Sequence, residues 1–294
     1  MINHWVGAFA AGLALSLAAS DRGLAAPVVA YRNVRYARLD GVPSHLLSMD
    51  IYAQRDARNC PVMIYVHGGA WSFGDKVATG NKVPYFTRRG WVVVSVNYRL
   101  LPEADPLVQV QDVARAVARV HDYIHRYGGD PNQLFLMGHS AGAHLVSLVA
   151  TDLRRLTEAG KDSSILRGVI ELDTSALDIV QLMETSADFY TRFFGEDRRL
   201  WLEASPIAHV AAGKPIPPFL LAVASAKPSK LAQARRFAAA LQAAGVRAEV
   251  LEAPDKTHAS LNRDLGDERD EITAAVMKFI ESIRNHQAIQ EGNS

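Results

Sequence analysis

Cysteine is nearly missing from this chain. Cys60 stands alone among 294 residues, so no internal disulfide can form, and no Cys/His spacing suggests a metal site. An ordinary position just before a strand is the expectation for Cys60. An excess of one charge is missing too: 32 basic residues face 31 acidic ones, for a formal +1. With no basic stripe and no Lys/Arg run, a nucleic-acid partner is not expected. Beyond the first 25 residues no apolar run is long enough to span a bilayer, so stable membrane insertion is not expected either. A more local absence concerns the stretch "FLLAVASAKPSKLAQARRF" (219–237), which contains no carboxylate.

The exception among the apolar runs is "WVGAFAAGLALSLAA" (5–19), followed by small residues in "SDRGLAAP". Its length suits the apolar region of a signal peptide and falls short of a span. Gly23 and Ala25 provide small residues for cleavage before Ala26. An exported protein, periplasmic or secreted, is therefore expected, with residues 1–25 as leader and 26–294 as the mature domain. An uncleaved leader acting as anchor is the alternative.

Apolar residues make up 49% of the chain, enough for a large core. After the leader, strand and helix patterns alternate. Strands are expected at 32–39, 46–53, 61–69, 90–98, 133–138, 167–172, 218–224 and 247–253. Helices are expected at 109–129, 141–156, 231–245 and 270–283. This order predicts one α/β domain with a mostly parallel sheet and helices on both faces. Residues 174–216 break the pattern with aromatics and mixed charge, and are expected to form a helical lid insertion.

Three segments carry chemistry. "MGHSAGAH" (137–144) holds G-x-S-x-G between a strand and a helix, the context of a nucleophile elbow. Ser140 would stand at a helix N-terminus, where backbone N–H groups and the dipole favour developing negative charge. "VHGGAW" (66–71) follows a buried strand. Gly68 and Gly69 can offer N–H groups unobstructed by side chains, and the Ala141 N–H completes an oxyanion hole. His258 follows the last strand, and its order after the serine suits a general base. Of the other histidines, His139 and His144 belong to the elbow, His67 opens the glycine loop, and His45, His121, His125 and His209 read as helix-flank or surface residues.

On "HGGAW" (67–71), "NYRL" (97–100), "GGDP" (128–131), "GHSAGAH" (138–144) and His258, the chain resembles α/β-hydrolases of the hormone-sensitive-lipase-like and arylformamidase-like esterases. The resemblance covers nearly all of the chain after the leader. It implies a serine esterase or amidase acting on small acyl groups, without a cofactor. Ala70 replaces the third glycine of the lipase-type H-G-G-G, and Trp71 follows it, which resembles the arylformamidase-like and carbohydrate-ester branches more. Trp71 and the aromatics of the insertion suggest an apolar acyl or aryl pocket.

The resemblance also places the catalytic acid just after strand 218–224, where this chain has Ala226, Lys227 and Ser229. Asp173, at the end of the preceding strand, is the first candidate to replace it. Asp178 and Asp255 are the others, and a Ser–His dyad is the fourth possibility. The expected function is a serine carboxylesterase acting on a small-molecule ester. An arylformamidase-type amidase and a degenerate hydrolase fold kept for binding are the alternatives.

Overall fold

The computed structural model describes residues 26–224 and 228–291, with side chains through residue 286. The leader expected over 1–25 lies outside the described residues. Eight strands form one sheet: β1 (Val28–Arg35), β2 (Ser48–Gln54), β3 (Cys60–Val66), β4 (Val92–Val96), β5 (Gly129–His139), β6 (Leu166–Leu172), β7 (Phe219–Ala224) and β8 (Ala248–Ala253). Their order is β1-β2-β4-β3-β5-β6-β7-β8. The β1–β2 and β2–β4 pairs are antiparallel, and every pair from β4 through β3 to β8 is parallel. Cys60 is a half-buried free thiol that opens β3.

The sheet is covered on both sides, as its near-continuous apolar strands require. Val62, Ile64, Val66, Leu134 and Leu136 belong to one core with α2 (Pro106–Tyr123), α3 (Ala141–Thr151) and α7 (Pro228–Ala243). The alternate residues Met63, Tyr65, Phe135 and Met137 belong to the other. There they meet α1 (Lys82–Arg88), α8 (His258–Asp264) and α9 (Glu271–Glu291). The strand period of two thus feeds two separate cores.

Several boundaries move for local reasons. The helix expected over 109–129 begins at Pro106, where a fixed φ suits the first turn and the Asp105 carboxylate accepts the Val108 N–H at 2.9 Å. It tightens into a 3₁₀ turn at Ile124–Tyr127 and stops at Gly128, φ +84°. An alanine Cβ at Gly128 would lie 2.3 Å from the Ala57 carbonyl oxygen. The helix expected over 141–156 breaks at Asp152, whose carboxylate holds Arg154 and Arg155, and resumes as α4 (Arg154–Glu158). Helices α1 and α8 have no counterpart in the sequence reading.

The stretch between β6 and β7 is helical, with α5 (Ile179–Phe194), α6 (Arg198–Glu203) and a 3₁₀ turn at Pro206–His209. Asp178 caps α5, accepting the Gln181 N–H at 3.1 Å. Helix α5 kinks at Ser186, which turns its second half so that Phe193 and Phe194 pack on Trp71 at ring distances of 5.0 Å.

Phe135 is fully buried and packs on Trp91 and against Gly168. Phe135→Ala should cost about 3–5 kcal/mol in urea unfolding. A loss below about 1 kcal/mol would mean that this second core is loosely packed.

Candidate active site

Strand β5 delivers Ser140 to the sheet edge, and α3 begins at the next residue. Ser140 has φ +55° and ψ −118°, a backbone that L-residues rarely adopt, and its N–H donates to the Leu172 carbonyl at 2.9 Å. Such a turn demands small neighbours. A Cβ on Gly138 would lie 2.3 Å from the Gly142 carbonyl oxygen, and a Cβ on Gly142 would lie 2.2 Å from that of Val66. The two glycines are therefore required by close backbone approach, as the motif reading expects.

His258 sits at the first position of α8, beyond the last strand. Thr257 caps this helix: its hydroxyl accepts the Ser260 N–H at 3.1 Å, and the Ser260 hydroxyl accepts the Thr257 N–H at 2.8 Å. The capping box fixes the backbone at the histidine. Three further contacts hold it. The His139 Nε2–H donates to the His258 carbonyl at 2.9 Å, with the two rings 4.5 Å apart. Burial and the neighbouring His258 pull His139 down to about 3, so it stays neutral. Lys82 and Tyr65, both buried, donate to the Asn262 backbone and side-chain oxygens at 2.6 and 3.0 Å.

The imidazole lies between Ser140 and Asp173. Its Nε2 is 3.1 Å from Ser140 Oγ, and its Nδ1 is 2.5 Å from Asp173 Oδ2. Asp173 follows β6 directly, 1% exposed, with φ +59°. Its Oδ1 accepts the Ala224 N–H at 3.0 Å, and its Oδ2 also accepts from Lys230 Nζ at 2.6 Å. Burial works against the carboxylate, yet the bonds from His258 and Lys230 hold it below the usual aspartate range. An ionised acceptor at Nδ1 places the ring proton there and leaves Nε2 free to accept from the Ser140 hydroxyl.

The other acid candidates are elsewhere. Asp178 is occupied as the α5 cap and pairs with Arg236 at 3.1 Å. Asp255 is exposed in the turn after β8 and makes no bond to His258. A dyad without a carboxylate does not describe this arrangement. One carboxyl escaped the sequence reading. Glu171, two residues before Asp173 on β6, is fully buried, and burial pushes it up to about 8, so it is protonated at neutral pH. It accepts the Thr174 N–H at 2.5 Å.

Ser140 opens into a cleft of about 410 Å³, lined on this side by Ala70, Trp71 and Ala141 and across it by Phe189 and Tyr190. Gly68 and Gly69 do not line it. A Cβ on Gly68 would lie 3.0 Å from Ser140 Cβ, and one on Gly69, φ +127°, would lie 1.8 Å from the Phe73 carbonyl oxygen. Ala70 and Trp71 continue with φ +47° and +57°, so the alanine holds a glycine-like backbone. The "NYRL" segment supports this loop. The Tyr98 hydroxyl donates to the His67 carbonyl at 2.9 Å, and Asn97 accepts the Lys76 N–H at 2.6 Å. Trp71 is mostly core: its indole N–H donates to Nδ1 of the buried, neutral His144 at 3.2 Å.

Among the described residues no group of His, Cys, Asp and Glu could hold a metal ion, and no helix is long and apolar enough to cross a membrane.

The model of the BD-FAE family matches residues 49–241. The chain belongs to the BD-FAE family. The match takes in Ser140, Asp173 and the first turn of α7 and ends before His258. This BD-FAE member is 32% identical over 230 residues to "Esterase LipQ" of Mycobacterium tuberculosis, covering 72% of this chain and 53% of that protein. It is 28% identical over 239 residues to "Kynurenine formamidase" of Danio rerio, covering 79% of this chain and 77% of that one. The chain thus spans about half the length of the mycobacterial relative and most of the zebrafish one. Esterase B from Lactobacillus Rhamnosis superposes with a TM-score of 0.73 at 21% identity, over 91% of this chain and 89% of the other. The fold of this BD-FAE chain is that of an α/β-hydrolase.

The elbow yields a stability test. Gly142→Ala should cost at least about 2–3 kcal/mol, because its Cβ meets backbone that cannot yield. Gly160→Ala, at φ +77° with open space around it, should cost only about 1–2 kcal/mol. Equal losses in thermal unfolding would remove the close-approach account of Gly142.

Proposed function

We propose that this protein is a serine carboxylesterase acting on small acyl or aryl esters. The observation that carries the reading is the continuous chain from Ser140 Oγ through His258 to Asp173, with gaps of 3.1 and 2.5 Å. Ser140 Oγ attacks the ester carbonyl while His258 Nε2 takes its proton. Asp173 holds Nδ1–H and stabilises the imidazolium that forms. The N–H groups of Ala141 and Ala70, whose residues line the cleft, receive the oxyanion. Gly68 keeps the loop close to the elbow rather than facing the carbonyl. The imidazolium then gives its proton to the leaving alcohol. A water, deprotonated by the same nitrogen, releases the acid from the acyl-enzyme and restores Ser140.

The cleft favours a compact acyl or aryl group, since Trp71, Phe189 and Tyr190 form much of its wall. The zebrafish kynurenine formamidase, matched over 77% of its length, supports a second reading in which the scissile bond is an aryl formamide. The binding-only reading rested on the acid-free loop, and Asp173 beside His258 weakens that ground. The leader-like sequence of residues 5–25 supports export.

Hydrolysis of p-nitrophenyl acetate, compared with N-formylaniline, should separate ester from formamide preference. Ser140→Ala should abolish turnover of both. Asp173→Asn should lower kcat by roughly 10²–10⁴ with KM little changed. Asp178→Asn and Asp255→Asn should cost about tenfold or less. Wild-type rates in a folded Ser140→Ala protein would refute the reading.

A further inference from the structure

Lys230 lies in the first turn of α7, immediately after the loop that carries no acid. The residue is 8% exposed, and its ammonium donates to Asp173 Oδ2 at 2.6 Å and to the Asp173 carbonyl at 3.1 Å, with His258 Nδ1 also 3.1 Å away. A lysine this buried is uncommon unless paired, and here its whole pairing is with one aspartate at the reacting histidine. The two bonds to Asp173 grip both ends of the residue. One holds the carboxylate and the other the carbonyl of a backbone at φ +59°.

We propose that Lys230 is a positioning residue for the Ser140–His258–Asp173 chain, holding the Asp173 carboxylate in the orientation that meets the His258 Nδ1–H. The inference rests on the hydrolase reading above. Among the described residues, the Ala224 N–H is the one backbone donor to the carboxylate of this acid on β6. Lys230 adds a side-chain donor and a counter-charge, so the helix after the acid-free loop contributes a cation to an acid borne by another strand.

Among the described residues, the titratable groups that face Asp173 from the elements packed on it are Lys230 from α7, His258 from α8, Glu171 from β6 and His139 from β5. Glu171 and His139 are both neutral at neutral pH. Among the described residues, Lys230 is the only side chain besides His258 that donates to the carboxylate. It also lies beside the ring that becomes cationic during reaction, which opposes imidazolium formation. Against that opposition stands the shared oxygen: Asp173 Oδ2 bonds both Lys230 Nζ at 2.6 Å and His258 Nδ1 at 2.5 Å.

Lys230→Met removes the charge and keeps the length. Its kcat on p-nitrophenyl acetate should fall about tenfold with KM within about twofold, since the acid is felt mainly in the transition state. Without Lys230 the carboxyl and the neighbouring imidazole both bind a proton more readily. The acid limb of kcat against pH should therefore move up by about one unit, with the deficit growing as pH falls. Lys230→Arg keeps the cation and should retain the wild-type limb. A folded Lys230→Met protein with unchanged or higher kcat and an unmoved limb overturns the inference. If that variant fails to fold, Lys230→Gln is read by the same measures. If only the Arg variant folds, Lys230 serves folding and the inference fails. Ser140→Ala runs alongside: its activity would refute the hydrolase reading itself. An inactive Ser140→Ala beside unaltered Lys230 variants would refute this inference alone.

Discussion

The Asp173 carboxylate is the constraint on which the rest of the site depends. A buried carboxylate is costly unless its lone pairs are met by donors. Here the Ala224 N–H takes one oxygen, and Lys230 and His258 share the other. These donors come from β7, α7 and α8, so three elements beyond its own strand offset the burial of the acid. Parallel pairing of β6 with β7 puts the Asp173 backbone beside Ala222, and the Ala224 N–H follows from that register. Burial pushes the Glu171 carboxyl up to about 8, whereas the donors around Asp173 hold its carboxyl below the usual aspartate range.

The reacting end is built by backbone approach rather than by charge. Ser140 is held in a strained turn by two glycines that admit no Cβ, His258 is held from behind by His139, and Lys82 and Tyr65 hold Asn262 farther along the same helix. Burial pulls Lys82 down to about 7, a sign of how completely α8 and α1 close over it. The insertion between β6 and β7 closes the third side. Its Phe193 and Phe194 secure Trp71, while Phe189 and Tyr190 reach the cleft.

Much of this was legible in the sequence for identifiable reasons. The strands carry period-two apolar patterns strong enough to place the sheet, and Ser140 stands in a motif whose flanking strand and helix are both readable. Asp173 could be nominated because strand ends in a parallel sheet share one edge, which is where the acid must lie. Asp178 and Asp255 lay near enough in sequence to compete, and only the α5 cap and the exposed turn separate them from the site. Helix α8 was not legible, since seven residues with little apolar periodicity give no signal beyond the Thr257 cap. Lys230 was hidden because a lysine in a polar helix turn reads as surface. Its burial arises from contacts 57 and 28 residues away in sequence. Ala70 was read as a lost glycine, yet it keeps the backbone the glycine would have had.

The central claim is that Asp173, delivered by β6, holds the Nδ1 proton of His258. Proton NMR of histidine-labelled protein at neutral pH tests it most directly. A bond of 2.5 Å to an ionised carboxylate should give a far-downfield Nδ1 proton in the wild type and in Ser140→Ala. That signal should vanish in Asp173→Asn and persist in Asp178→Asn. A downfield His258 proton that survives Asp173→Asn, or a His258 whose Nδ1 carries no proton at neutral pH, would contradict the account.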